Sequence, residues 1–183
     1  MAADDDETDG GGTDCRILCL TGPESTGKST LAAALSEALD AVLVPEVARS
    51  YLAGRHEYAA SDVLAIAEAQ EAAERRALES GAARIVCDTD LTVIRVWWEE
   101  KYGAPPAPLT EALERRSPRA YLLLEPDLPW APDPLRENPE DRGRLFSRYR
   151  ELLEGGPFPY RQIAGLGEAR LTEALVAAEQ LLN

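Results

Sequence analysis

The sequence predicts an α/β protein with three layers, α/β/α, built on a mostly five-stranded parallel sheet. Three observations predict it. Short apolar runs alternate with longer stretches of helical spacing. The runs are apolar throughout rather than at every second position, as in strands covered on both faces. The polar residues of chemical interest fall just after these runs, where open parallel sheets bind ligands.

The elements follow in order. Arg16 to Thr21 is an apolar run ending at a glycine and reads as the first strand. Lys28 to Leu39 carries leucines at 31, 35 and 39, one face of a helix. Ala41 to Val44 is a second strand. Ser61 and Asp62 are expected to cap a long helix running to about Glu79 and closed by Ser80 and Gly81. Arg84 to Cys87 is a third strand, followed by Asp88-Thr89-Asp90. Leu91 to Tyr102 is helical, with Asp90 as its N-cap, and stops at Gly103 and the prolines at 105, 106 and 108. Tyr121 to Leu124 is a fourth strand. Glu125 to Asn138, with prolines at 126, 129, 132 and 134, is irregular. Asp141 to Glu154 is a helix, Phe158 to Ile163 a strand and Gly167 to Leu182 the last helix.

A length of 183 residues with 45% apolar content suits one globular domain. The formal net charge of −14 argues against nucleic acid as a bulk electrostatic partner. Six acids and no base precede Cys15, so residues 1–14, with three consecutive glycines, read as a disordered acidic tail ahead of a single domain over 15–183. The start lacks a basic, then apolar, leader, and no run approaches the ~20 apolar residues of a membrane span. The expected location is the cytoplasm. Cys15 and Cys19 share a strand at ~13 Å separation, beyond disulfide reach. With Cys87 they read as buried reduced thiols.

Gly22-Pro-Glu-Ser-Thr-Gly-Lys-Ser29 matches G-x-x-x-x-G-K-[ST] between a buried strand and a helix. Glycines let successive N–H groups turn toward a phosphate. The helix beginning near Lys28 adds the positive end of its dipole. Gly22, Glu24, Ser25, Thr26, Gly27, Lys28, Ser29 and Thr30 are therefore the expected nucleotide-binding residues. Lys28 would reach the β- and γ-phosphates and Ser29 would ligate Mg²⁺. The implied cofactors are ATP and Mg²⁺.

The loop alone leaves kinase, motor and switch open. A GTPase would need N-K-x-D, and neither lysine, 28 nor 101, stands in one. Small size and the proline- and arginine-rich stretch fit a nucleoside or nucleotide kinase with a lid over about 126–148. That lid would present Arg136 and Arg142 to the nucleotide, with Arg144 and Arg148 nearby, since phosphoryl transfer needs positive charge and exclusion of water. A hydroxyl acceptor needs a carboxylate to take or orient its proton. Asp88 and Glu46 follow strands aimed at the phosphate site. Asp88 is the preferred base, and a Mg²⁺-water ligand is its alternative. Glu46, Arg49, Gln70, Asp88 and Trp97 are the candidate acceptor-binding residues. His56 lies in a polar loop with no assigned part.

In order, Gly22 to Leu31, Val44-Pro-Glu-Val-Ala-Arg49, Asp88-Thr-Asp90, Val96-Trp-Trp-Glu-Glu-Lys-Tyr-Gly103, Tyr121 to Asp127, Pro129-Trp130 and Leu135-Arg136 resemble the ribosylnicotinamide kinase domain of NadR-type NAD-biosynthesis proteins. The resemblance runs from about Arg16 to the C-terminus. It implies ATP-dependent phosphorylation of nicotinamide riboside to nicotinamide mononucleotide on a P-loop nucleoside-kinase-like fold. The tail leaves no room for the adenylyltransferase domain of bifunctional members, so a separate adenylyltransferase would complete NAD synthesis. Two other readings stay open: a kinase for another acceptor, such as a deoxynucleoside, and an ATP-binding regulatory module that phosphorylates nothing.

Overall fold

The computed structural model describes residues 16–55, 57–130 and 140–183. Five strands form one sheet: β1 (Ile17–Thr21), β2 (Val42–Val44), β3 (Ile85–Cys87), β4 (Ala120–Leu124) and β5 (Tyr160–Ile163). Their order is β2-β3-β1-β4-β5 and every pairing is parallel. The register sets Cys19 against Cys87 on one side and against Tyr121 on the other. The fold expected from the sequence is the fold observed.

Strand periodicity sorts the core into two layers. Leu18, Leu20, Val86, Leu122 and Leu124 face α1 (Lys28–Ala38) and α7 (Gly167–Leu182). Ile17, Cys19, Ile85, Cys87, Tyr121 and Leu123 face the other side. That side is covered by α3 (Ala60–Glu79), α4 (Leu91–Tyr102) and α6 (Arg142–Glu154). A third cluster joins α3 and α4 to two short helices, α2 (Val47–Tyr51) and α5 (Ala107–Glu114). β2 is an edge strand, so Val42 and Leu43 remain exposed.

Two helices escape the sequence reading. α2 has five residues, too few to show a period. α5 begins at Pro106 and Pro108, which read as breakers. A helix start has no use for the proline N–H, so prolines are well placed there. The start of α3 also differs from expectation. Ala59 is the N-cap, and the Asp62 carboxylate, inside the first turn, accepts from the Ala59 N–H at 2.8 Å.

A buried polar network fixes the β3–α4 turn. Asp90 caps α4 by accepting from the Thr92 N–H at 2.8 Å, as expected. Its other oxygen accepts from the Tyr121 hydroxyl at 2.6 Å, Arg116 at 2.9 Å and Arg119 at 3.3 Å. Arg119, fully buried, also grips Glu74 at 2.7 and 2.8 Å. Burial pushes the Asp90 carboxyl up, but the Arg116 and Arg119 charges outweigh it and hold it below the usual carboxylate range. The backbone two residues before this carboxylate is Asp88.

Candidate functional site

The loop between β1 and α1 is shaped by its residue types. Gly22 has φ +131, and a Cβ there would lie 2.7 Å from the Leu124 carbonyl oxygen. Gly27 has φ +78, and a Cβ would meet the Leu128 side chain at 2.9 Å. Glycine is therefore required at both ends. Thr26 is buried, and its hydroxyl donates to the Pro23 carbonyl at 2.9 Å, closing the curve from within. Gly27 is the N-cap of α1, so the helix dipole points at the loop.

The Lys28 ammonium donates to the Gly22 and Pro23 carbonyls at 2.9 and 2.7 Å. Burial pulls its pKa below the usual lysine value, while the Glu46, Asp88 and Glu24 charges oppose that pull. Three carboxylates thus surround the one cation best placed to meet a phosphate.

A cleft of about 300 Å³ opens over the loop. One wall is Gly22 to Thr30. The other comes from three helices. Glu46, Ala48 and Arg49 stand on or beside α2, Val93, Val96, Trp97, Glu100 and Lys101 on α4, and Leu145 and Tyr149 on α6. Trp97 stands edge-on to Tyr58 with centroids 5.0 Å apart, and its indole N–H donates to the Tyr58 hydroxyl at 2.8 Å. Tyr149 is buried, and burial together with the Glu24 and Glu46 charges pushes its hydroxyl well up, so it stays protonated.

Most residues expected from the sequence meet here. Gly22, Glu24, Ser25, Thr26, Gly27, Lys28, Ser29 and Thr30 line the cleft, as do Glu46, Arg49 and Trp97. Glu46 is paired with Arg49 at 2.7 Å. Asp88 is buried at 5% exposure and does not itself line the cleft. Its Oδ1 is buried without a hydrogen-bond partner among the described residues. The orphaned Asp88 carboxylate oxygen and the Ser29 hydroxyl on the cleft wall are hard oxygen donors, the type that suits Mg²⁺.

Two expectations need correction. Gln70 is buried behind the site rather than facing an acceptor. Its Oε1 accepts from the Val47 N–H at 2.9 Å, and its Nε2 donates to the Pro45 and Thr89 carbonyls, both at 3.3 Å. The amide is spent on tying the turns that carry Glu46 and Asp88 to each other. Arg142 likewise does not line the cleft. It donates to the Leu128 carbonyl at 2.8 Å and lies over the Trp130 ring. Arg144 and Arg148 pair with Glu100 and Glu99, joining α6 to α4. Arg136, Leu135, Cys15, His56, the acidic tail and the middle of the 126–148 lid lie outside the described residues.

The sequence reading did not single out Val93, Val96, Glu100, Lys101, Leu145 and Tyr149 as cleft residues. A signal existed for α4: positions 93, 96, 97 and 100 share one helix face. For Leu145 and Tyr149, helical apolar spacing reads as core, and both do pack in the core.

Cys19 and Cys87 are buried free thiols, and their sulfurs lie within 4.8 Å of each other and of a Glu74 oxygen. The bidentate grip of Arg119 on Glu74 already neutralises that carboxylate. No helix among the described residues is long and apolar enough to cross a membrane.

The AAA domain family model matches residues 17–170. Two solved structures of NadR protein, one in complex with NAD and AMP-PNP and one in complex with NR, share the fold at a TM-score of 0.71. Identities are 22% and 18%, and each match covers 92% of this chain. It covers 50% and 52% of those proteins, so the chain spans about half their length. Thymidylate kinase from Ehrlichia chaffeensis matches at a TM-score of 0.69 and 13% identity, over 92% of this chain and 99% of that one. No curated protein matches.

Proposed function

The chain belongs to the AAA domain family, and we propose that within it this protein is a Mg-ATP-dependent nucleoside kinase acting on the 5′-hydroxyl of nicotinamide riboside. The observation that carries the proposal is the composition of the cleft. One continuous space joins a phosphate-shaped loop to the Glu46 carboxylate and the Trp97 ring, with Asp88 behind it. The fold shared with NadR protein bound to AMP-PNP and to NR supports the choice of acceptor.

The residues divide the work by chemistry. Backbone N–H groups of Gly22 to Thr30 and the α1 dipole hold the triphosphate. Lys28 swings from its two carbonyls to the β- and γ-phosphate oxygens, where its charge offsets the charge spreading in the transition state. Ser29 would hold Mg²⁺, which would supply positive charge to the same oxygens, and a water on that ion is the alternative partner for Asp88. Asp88 orients the acceptor hydroxyl and takes its proton as the new O–P bond forms and the bond from the γ-phosphorus to the bridging oxygen breaks, releasing ADP. Glu46 binds ribose hydroxyls with Arg49 beside it, and Trp97 offers a face to the base.

Purified protein with Mg²⁺ and ATP, with and without nicotinamide riboside, cytidine or deoxyadenosine, tests the reading. Stimulation by nicotinamide riboside alone, with the mononucleotide as product, is expected. Stimulation by deoxyadenosine instead would favour the second reading, a kinase for another nucleoside. ATP binding without stimulation by any acceptor would point to a regulatory module.

A further inference from the structure

Arg170 takes no part in the cleft, yet it touches the back of the phosphate loop. It stands in the first turn of α7 at 5% exposure. Its guanidinium donates to four acceptors on three separate segments. One nitrogen meets Asp127 Oδ1 at 2.5 Å and the Gly165 carbonyl at 2.8 Å. The other meets the Thr26 carbonyl at 3.0 Å and the Glu125 carbonyl at 3.3 Å. Asp127 completes the arrangement by accepting from the Gly165 N–H at 2.6 Å. The third guanidinium nitrogen, Nε, is buried without a partner among the described residues. Burying a cation with one donor unmet costs free energy, so the four bonds made must be worth keeping.

We propose that Arg170 is a positioning residue that clamps the phosphate loop from behind and joins it to the chain leaving β4. The Thr26 carbonyl and the Gly27 N–H belong to one planar trans peptide and point in opposite directions. With the carbonyl aimed at Arg170, the N–H faces away from it, toward the cleft that Gly27 lines and Arg170 does not. A cation on the carbonyl polarises that peptide and strengthens its N–H as a donor to an anion. The same guanidinium anchors Glu125 and Asp127, immediately before Leu128, whose side chain packs against Gly27. Loop shape and the root of the following segment are thus set by one side chain.

This rests on the reading that the cleft takes a nucleoside triphosphate. The test measures the affinity of the full-length protein for AMP-PNP with Mg²⁺ and for adenosine, which lacks phosphate. A merely structural role would weaken both ligands together or neither. Arg170→Gln should weaken AMP-PNP about tenfold and leave adenosine within about twofold. Arg170→Lys, which keeps the charge and loses the fork, should fall between it and the wild type. If Arg170→Gln does not fold, Asp127→Asn, at a less buried position, should weaken AMP-PNP about threefold and spare adenosine. Unchanged AMP-PNP affinity in the variants, or equal loss of both ligands, overturns the clamp alone. A wild-type protein that fails to bind AMP-PNP overturns the clamp together with the nucleotide reading.

Discussion

The two walls of the cleft are made differently. The phosphate wall is nine consecutive residues, Gly22 to Thr30, whose shape is set by two glycines, internal hydrogen bonds and the start of α1. The acceptor wall is assembled from α2, α4 and α6, brought together by ties such as Gln70 to the Val47 N–H and Arg148 to Glu99. A local wall of backbone donors recognises any polyphosphate. A wall of side chains from distant segments can change its acceptor one residue at a time. On the proposed function, chemistry common to many substrates belongs to the first wall, and specificity to the second.

Substitutions can break or sharpen that contrast. The largest effect is expected at Lys28, the reactive cation of the phosphate wall. Lys28→Ala should cut turnover more than about a hundredfold while leaving the melting temperature close to that of the wild type. A variant that keeps most of its kcat would end the claim that the two walls share one phosphoryl-transfer reaction.

Asp88 stands behind both walls and separates a base from a metal ligand. Asp88→Asn should lower kcat about a hundredfold with little change in the KM for ATP. Parallel loss of both would move Asp88 to the metal and leave proton transfer to Glu46.

Gln70 tests how the acceptor wall is held. Gln70→Ala takes the acceptor from the half-buried Val47 N–H and should cost about 1 kcal/mol of stability, read by denaturant unfolding. The same variant should raise the acceptor KM more than the ATP KM. Equal changes in the two would mean that the walls are not independent.

Trp97→Ala should raise the acceptor KM by about three- to tenfold, the worth of an aromatic contact, and leave the ATP KM unchanged. The smallest effect belongs to the rim. Arg144 is half exposed, so Arg144→Gln should barely move the melting temperature despite its two bonds to Glu100. A larger loss in thermal unfolding would show that α6 is held to α4 mainly by charge.

The same contrast explains what the sequence revealed. The phosphate wall was legible because its residues are adjacent and its backbone demands glycine at fixed places. β1, β3, β4 and α1 were legible because each buries a whole strand or face. The acceptor wall was legible in part, at Glu46 after a strand end, at Arg49 one turn on and at the aromatic Trp97, while its aliphatic lining read as core. Gln70 carries a side chain equally suited to a substrate amide and to orphaned backbone groups, and only three-dimensional proximity to Pro45, Val47 and Thr89 decides between them. Arg170 lies 144 positions from Thr26, and no periodicity connects them. α5 was hidden because proline ends most helices and begins some.

On the proposed function, the two walls together move a phosphoryl group onto a hydroxyl. The most direct measurement follows label from γ-labelled ATP in the presence of Mg²⁺ and nicotinamide riboside. Label is expected on the acceptor as nicotinamide mononucleotide, with less than about a hundredth as much transferred by Lys28→Ala. Label appearing only in inorganic phosphate, at a rate the acceptor does not change, would contradict it.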